Sequence, residues 1–166
     1  MRYFFVFFLV SASFFVQGQS KTTETLHKKY QDAISAFFYH NTLRMLNQQD
    51  DKDLDELIKD VEKVKFLMIK KEGFGKADYK KLVSDYKSES YEEIMTSRHD
   101  GKNFDVYMKE GSKKGMIVTV NDSASLYVLD IVGSIPLNKV TTLFSTIDES
   151  SEIAKKIRNF THKEHD

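Results

Sequence analysis

The sequence runs EEIMTSR from Glu92 to Arg98, NFDVYMK from Asn103 to Lys109, GMIVTV from Gly115 to Val120 and LYVLDIV from Leu126 to Val132. Turn-forming residues separate these four strand-length runs: Asp100-Gly101, Gly111-Ser112-Lys113-Lys114 and Asp122-Ser123-Ala124. Asp-Gly is the strongest hairpin signal of the three. Consecutive hairpins predict a four-stranded antiparallel meander in the second half of the chain.

The segments before the meander alternate between helical and strand patterns. Helices are predicted over Thr23–Asp32, Asn41–Asn47, Ala77–Lys87 and a stretch that opens at Asp50-Asp51-Lys52-Asp53 and carries Leu54, Leu57, Ile58 and Val61 on one face. Thr22 or Thr23 is expected to cap the first helix. Val64–Ile69 predicts a buried strand. Ala33–Tyr39 fits either an extension of the first helix or a strand with aromatic residues, and we favour the strand.

After the meander, Pro136 starts a final predicted helix at a position where its missing N–H costs nothing. Its apolar stripe consists of Leu137, Val140, Thr141 and Phe144. The order of elements predicts an α+β fold, with an antiparallel sheet that ends in a four-stranded meander and helices packed on one face. We expect one domain over residues 19–147 and a polar tail over 148–166 that is partly helical or disordered.

The first eighteen residues predict a cleavable signal peptide. Arg2 gives a positive end, residues 3–16 are apolar or small, and Val16-Gln17-Gly18 carries suitable residues at the positions that a signal peptidase inspects. The apolar run is shorter than the roughly 20 residues that span a bilayer, although an uncleaved anchor is the alternative. We therefore expect cleavage near Gly18, export, and no transmembrane segment in the mature chain.

Composition narrows the range of functions. The sequence has 25 basic and 25 acidic residues, and loss of Arg2 with the leader leaves 24 against 25, which gives no electrostatic reason to bind nucleic acid. It contains no cysteine. Disulfides, thiolate catalysis and a lipid-modified N-terminal cysteine are thereby excluded. We expect a periplasmic or extracellular location in a bacterium, and not a lipoprotein.

One acidic segment resembles a calcium-binding loop. Asp51, Asp53, Asp55 and Glu62 occupy positions one, three, five and twelve of an EF-hand pattern. The sixth position requires glycine for a sharp turn, and this chain has Glu56 there. The same acids are typical of a helix start, where they interact favourably with the helix dipole, and we favour that interpretation.

The remaining polar residues predict no catalytic, cofactor-binding or metal site. None of the five histidines, His27, His40, His99, His162 and His165, shares a helical face with another in the manner of a zinc protease. There is no Gly-x-Ser-x-Gly turn, and Gly73-Phe74-Gly75-Lys76 lacks the spacing of a phosphate-binding loop. We expect no cofactor.

The meander carries apolar residues on both of its faces. If Phe104, Val106 and Met108 face the core, Asp105, Tyr107 and Lys109 face outward. The outer face is then either covered by another layer, such as the N-terminal helix or the tail, or available to a partner.

The stretch from Lys63 to Val140 resembles a family of exported Bacteroidota proteins known as domain of unknown function 4252. The resemblance rests on KVKFLM from Lys63, YEEIM from Tyr91, GKNFDVYM from Gly101, MIVTVND from Met116 and LYVLDIVG from Leu126. It implies an envelope location, an α+β fold and no assigned activity. Many relatives are lipoproteins, whereas this chain lacks the cysteine that lipid attachment requires.

These observations favour an exported, non-enzymatic module that binds another envelope protein or a second copy of itself through the outer face of the meander, at Tyr107. One alternative is a small-molecule or lipid carrier, which would need a deep cavity between sheet and helices. Another is a divalent-metal-dependent enzyme that uses Asp51, Asp53, Asp55 and Glu62.

Overall fold

The structure, a computed structural model, describes residues 18–47, 50–99, 101–111 and 114–140. Predictions for most of the leader, for Thr141 and Phe144, and for the tail at 148–166 lie outside these ranges. Within them, the helices are α1 (Lys21–Lys29), α2 (His40–Leu46), α3 (Lys52–Ile58) and α4 (Lys76–Ser88), with a short 3-10 turn at Lys71–Gly73 and a helical turn at 137–140. The strands are β1 (Ile34–Tyr39), β2 (Val61–Lys70), β3 (Glu92–His99), β4 (Lys102–Lys109), β5 (Gly115–Asn121) and β6 (Ser125–Gly133).

The six strands form a single sheet in the order β1-β2-β6-β5-β4-β3. Every neighbouring pair is antiparallel. The α+β class and the four-stranded meander β3 to β6 are therefore confirmed, and so is the strand over Ile34–Tyr39. The central pairing of β2 with β6 is what joins the N-terminal half of the chain to the meander.

The two faces of the sheet differ in composition. We call one the apolar face: its hydrophobic core includes Phe66, Val106, Val118 and Ile131, and residues of α3 together with Ile135 and Val140 pack against them. We call the other the mixed face, because it carries Lys65, Asp105, Thr119 and Asp130 between apolar residues. Helices α1 and α4 pack on the mixed face, whereas Leu57 and Ile58 of α3 pack on the apolar face. The helices therefore lie on both faces rather than on one.

Two local predictions are corrected by the structure. The N-cap of α1 is Ser20, whose hydroxyl accepts a hydrogen bond from the Thr23 amide at 3.2 Å, rather than Thr22 or Thr23. Val61 begins β2 and does not continue the preceding helix, which ends at Ile58. In the described ranges no helix is both long enough and apolar enough to cross a bilayer.

Candidate functional site

The carboxylates of the calcium-like segment support local structure. Asp51 caps α3 and accepts a hydrogen bond from the Asp53 amide at 2.9 Å. Asp53 forms an ion pair with Lys139 at 2.6 Å. Asp55 accepts a hydrogen bond from the side-chain amide of Asn47 at 2.8 Å. Glu62 lies apart from them in β2. Over the described residues, no three side chains of the metal-binding types converge.

The described histidines lie in three separate places. His27 is in α1, and its pKa is lowered chiefly by partial burial. His40 begins α2, with Nδ1 at 2.8 Å from a backbone carbonyl oxygen of β2, and His99 ends β3. His162 and His165 are outside the described residues. The three described histidines thus belong to three different elements of the fold.

The predicted partner surface on the meander is wrong for two of its three residues. Tyr107 is 1% exposed and stacks on Tyr86 of α4, with ring centroids 6.0 Å apart. Asp105 is buried and accepts hydrogen bonds from the hydroxyls of Tyr79 and Thr96. Both side chains point outward from the apolar face as predicted, but α4 covers them.

Lys109, the third residue of that surface, is half-buried. Its Nζ lies 5.7 Å from the centroid of the Tyr91 ring. Burial raises the pKa values of four tyrosines, Tyr79, Tyr86, Tyr91 and Tyr107, well above the ordinary range of a phenol. These phenols stay neutral, and they serve as packing and hydrogen-bonding groups.

At α1 lies what we call the charge cluster, formed by Glu24, Lys65, Glu89 and Asp130, of which Lys65 and Asp130 are buried. Lys65 and Asp130 are cross-strand partners on β2 and β6, and both are 0% exposed. The Lys65 ammonium pairs with Glu24 of α1 at 2.9 Å. A buried ammonium is stable only when it is paired in this way. The pair therefore ties α1 to the centre of the sheet.

Asp130 is incompletely satisfied. Its Oδ2 accepts a hydrogen bond from the Ser20 backbone amide at 2.9 Å, whereas Oδ1 is buried without a hydrogen-bond partner among the described residues. Burial raises the pKa of Asp130 to about 7, against the opposing effects of the Ser20 amide, the Thr23 hydroxyl and Lys65. Half of this carboxylate is thus available to a donor.

Glu89 binds the first turn of α1. Its carboxylate accepts hydrogen bonds from the Ser20 hydroxyl at 3.0 Å, the Lys21 amide at 3.0 Å and the Thr22 amide at 2.5 Å. Negative charge at a helix N-terminus satisfies amides that have no partner inside the helix. Because Glu89 follows α4, it connects the start of α1 to the end of α4.

The sequence contained a signal for this cluster that the alternation analysis missed. Lys65 stands within VKFLMI and Asp130 within LYVLDIV, so each charge interrupts an otherwise apolar run in a central strand. Two opposite charges in two buried strands predict a cross-strand pair. The docking of Ser20 and Glu89 against that pair depends on long-range contacts and has no comparable local signal.

The two edges of the sheet are strands β1 and β3. Strand β1 contains no charged residue, proline or bulge. Phe37 and Tyr39 of β1 are 42% and 57% exposed. The Lys63 ammonium lies 4.6 Å and 5.3 Å from the centroids of these two rings. Such an edge is open to pairing with another strand.

Strand β3 has the features that prevent pairing. Glu92, Glu93 and Arg98 place charge along it, and a bulge interrupts its register between Glu93 and Met95. Charges and bulges are the usual means by which proteins protect sheet edges. Among the described residues, the edge at β3 is therefore protected and the edge at β1 is open.

A surface cavity of about 330 Å³ lies beside α2 and α3. Its lining includes His40, Arg44, Asp50, Asp55 and Lys59, so both charge signs are present. The cavity does not lie between the sheet and its helical layer, where the carrier hypothesis required one. It therefore gives no support to a lipid or apolar ligand.

Comparison with known proteins gives one distant similarity. The chain is 28% identical over 126 residues to the tryptophan--tRNA ligase of Buchnera aphidicola subsp. Acyrthosiphon pisum (strain APS), covering 74% of this chain and 34% of that protein. The chain thus spans about a third of the length of this relative. No solved structure matches the chain.

A family-level comparison covers most of the fold. The model of a family described as domain of unknown function (DUF4252) matches residues 22–143. The matched range begins in α1 and includes all six strands, together with both residues of the Lys65–Asp130 pair. The chain therefore belongs to the DUF4252 family.

Proposed function

We propose that this chain is an exported, non-enzymatic domain that binds protein through edge strand β1, and that its partner is a second copy of the chain. The observation that carries the proposal is the open edge at Ile34–Tyr39, which leaves Phe37 and Tyr39 exposed beside a protected edge at β3. Strand addition at an open edge is an established mode of protein recognition, in which main-chain hydrogen bonds supply the affinity.

The sequence of β1 fits antiparallel pairing with itself. In a twofold arrangement the paired residues must share a sheet face, because side chains alternate along each strand. Pairing centred on Phe37 places Ser35 opposite Tyr39 and Ala36 opposite Phe38. Each large ring then meets a small residue, and only Phe37 meets its own copy. A close cross-strand aromatic pair at the axis adds about 0.5–1.5 kcal/mol beyond area burial.

The polar groups of the described residues favour binding over catalysis. Asp51, Asp53 and Asp55 cap or brace α3, while Asp105 and the buried tyrosines hold α4 on the sheet. Export is supported by the leader pattern of residues 1–18. Cell fractionation followed by N-terminal sequencing tests export, and recovery of the protein in the cytoplasm with Met1 intact would contradict it.

Charged substitutions of Phe37, the residue on the proposed twofold axis, test pairing through β1. Phe37→Lys and Phe37→Glu should each convert a dimer to a monomer in sedimentation experiments, because like charges directly opposite each other repel. An equimolar mixture of the two variants should recover the dimer through a Lys–Glu pair at the same position.

The matched control is Ser97→Lys, which adds a charge at an exposed position of the other edge. This variant should keep the dimer of the unchanged chain. A monomeric unchanged chain at all concentrations tested, or loss of the dimer with Ser97→Lys and not with the Phe37 variants, would sink the proposal.

A further inference from the structure

The buried carboxylate of Asp130 lacks one partner. Buried polar atoms in proteins are hydrogen-bonded in roughly nine cases of ten or more, yet Asp130 Oδ1 has no hydrogen-bond partner among the described residues. The Ser20 amide binds the other oxygen, Oδ2, at 2.9 Å. A donor beside the Ser20 amide would satisfy Oδ1.

The backbone nitrogen of Gln19 is such a neighbour. Standard bond lengths place consecutive backbone nitrogens about 3 Å apart, so this atom lies within roughly 6 Å of Asp130 Oδ2, to which the Ser20 amide is bound. Gln19 Nε2 is likewise buried without a partner in the described part of the chain. On the other side, Gly18 packs against Val132, where an added Cβ would meet a Val132 methyl group at 3.3 Å. The expected cleavage position thus lies on the mixed face, next to Asp130.

The cluster has an excess of negative charge. The charged groups that act on Asp130 are Lys65 of β2 and Glu89 after α4. Lys65 is itself paired with Glu24 of α1. The phenols of Tyr86 and Tyr91 also face Asp130, and they are neutral. These groups amount to three carboxylates and one ammonium. One further cation would bring the cluster closer to balance, and burial makes such a pair depend on direct hydrogen bonds.

We infer that leader removal supplies this cation, and that the α-ammonium of Gln19 binds Asp130 as an internal ion pair. Hydrolysis of the Gly18–Gln19 peptide bond by a leader-cleaving peptidase uses one water: its hydroxyl forms the Gly18 carboxyl group, and its proton goes to the Gln19 nitrogen. At neutral pH the resulting amine takes up a further proton from solvent. An amide N–H becomes a charged group with three donors.

The inference rests on the proposed export, since it requires cleavage at this bond. Its consequence is that the mature chain is more stable than the chain that retains residues before Gln19. The fold thereby distinguishes a processed from an unprocessed N-terminus, through a pair that joins the first mature residue to the central strand β6.

The test compares two purified chains that differ only at the N-terminus: one begins at residue 19, and the other retains Val16-Gln17-Gly18. Both carry Gln19→Ala, because an N-terminal glutamine can cyclise with loss of ammonia and so lose its charge. Carbon-13 NMR titration of the Asp130 carboxyl group is the readout. We expect a pKa near 7 in the extended chain and a value lower by at least one pH unit in the chain that begins at residue 19. Equal titration of Asp130 in the two chains would overturn the inference.

Thermal unfolding at pH 7.5 gives a second readout with a matched control. The melting temperature should be higher for the chain that begins at residue 19, and Asp130→Asn should remove that difference. Asp105→Asn changes another buried carboxylate of the same face, which the side chains of Tyr79 and Thr96 already satisfy, and it should leave the difference intact.

Equal loss of the difference in both variants would show that Asp130 has no special part in it and would contradict the ion pair. These measurements use chains prepared to begin at residue 19. A negative result therefore concerns the ion pair alone, whereas N-terminal sequencing of the cellular protein tests export and the cleavage position separately.

Discussion

The two faces of the sheet are both covered, but the residues that they bury differ in chemistry. The core of the apolar face is a hydrophobic cluster, which packs against α3 and the segment at 135–140. The mixed face buries an ion-paired lysine, two carboxylates and a threonine under α1 and α4. Hydrophobic packing is non-directional, whereas a buried polar group is stable only with specific partners. We interpret the apolar face as the main source of stability and the mixed face as the part that fixes where α1 and α4 lie.

The largest expected effect comes from Tyr107→Asp, on the mixed face. The new carboxylate would be buried beside Asp105 without a cation, and the stack on Tyr86 would be lost. We expect a loss of more than about 4 kcal/mol, enough to prevent folding of a marginal domain. Tyr39→Asp, at an exposed aromatic position, is the control and should remain folded by circular dichroism. A well-folded Tyr107→Asp variant would show that α4 does not cover this face.

A matched pair of core truncations compares the packing of the two faces directly. Ile131 on the apolar face and Ile117 on the mixed face are both 0% exposed. Ile131→Ala and Ile117→Ala should each lower the free energy of unfolding by about 2–5 kcal/mol in urea titrations. If Ile117→Ala costs less than about 1 kcal/mol, the mixed face is loosely packed and the comparison fails.

The pH dependence of stability should report Asp130 in a chain that retains residues before Gln19. Burial raises its pKa from the ordinary value of 3.8 to about 7 in the folded protein. The folded state then binds the proton more tightly than the unfolded state between these values, so stability falls as the pH rises from 4 to 7. We expect a fall of roughly 2–3 kcal/mol after relaxation of the site. Asp130→Asn should remove this contribution, and an unchanged pH profile in that variant would contradict the assignment.

The smallest effect is expected on the outer side of α4. The ammonium of Lys81 and the carboxylate of Asp85 form an exposed pair at 2.6 Å, one helical turn apart. Lys81→Ala should change stability by only about 0.3–0.5 kcal/mol, because solvent and salt screen such pairs. A loss above about 1.5 kcal/mol, measured against Lys80→Ala as control, would mean that this side of α4 contributes more than surface charge.

Local chemistry explains which elements the sequence predicts well. Asp100-Gly101 and the other turns determine the hairpins between β3 and β6, and the aromatic run at 34–39 predicts β1. The placement of β2 beside β6 depends on contacts distant in sequence, and no local pattern predicts it. Val61 shows where local patterns fail. It has the helical spacing of Leu54 and Leu57, yet α3 ends at Ile58, and Val61 begins β2 and pairs with Gly133.

The surroundings of Asp105, Tyr107 and Asp130 were also hard to predict, because they depend on helices that are distant in sequence. Alternation along a strand predicts which residues share a face, and this was correct for Asp105 and Tyr107. It does not predict whether a helix from elsewhere covers that face. The sequence alone therefore suggested an exposed surface where the structure has α4, and it gave no sign that Ser20 binds both Asp130 and Glu89.

The central pairing of β2 with β6 has a consequence for the order of folding. Lys70 pairs with Ser125 and Val61 with Gly133, so the middle of the sheet closes a loop that contains the whole of α4 and the first three strands of the meander. Loop closure of this length is entropically unfavourable, and distant strand contacts slow folding. We expect the hairpins between β3 and β6 to form early, because their strands are neighbours in sequence. Strand β2, and with it β1, joins the sheet only after β6 is available for pairing. Nearly the whole domain must therefore be synthesised before β1 and β2 can join the sheet.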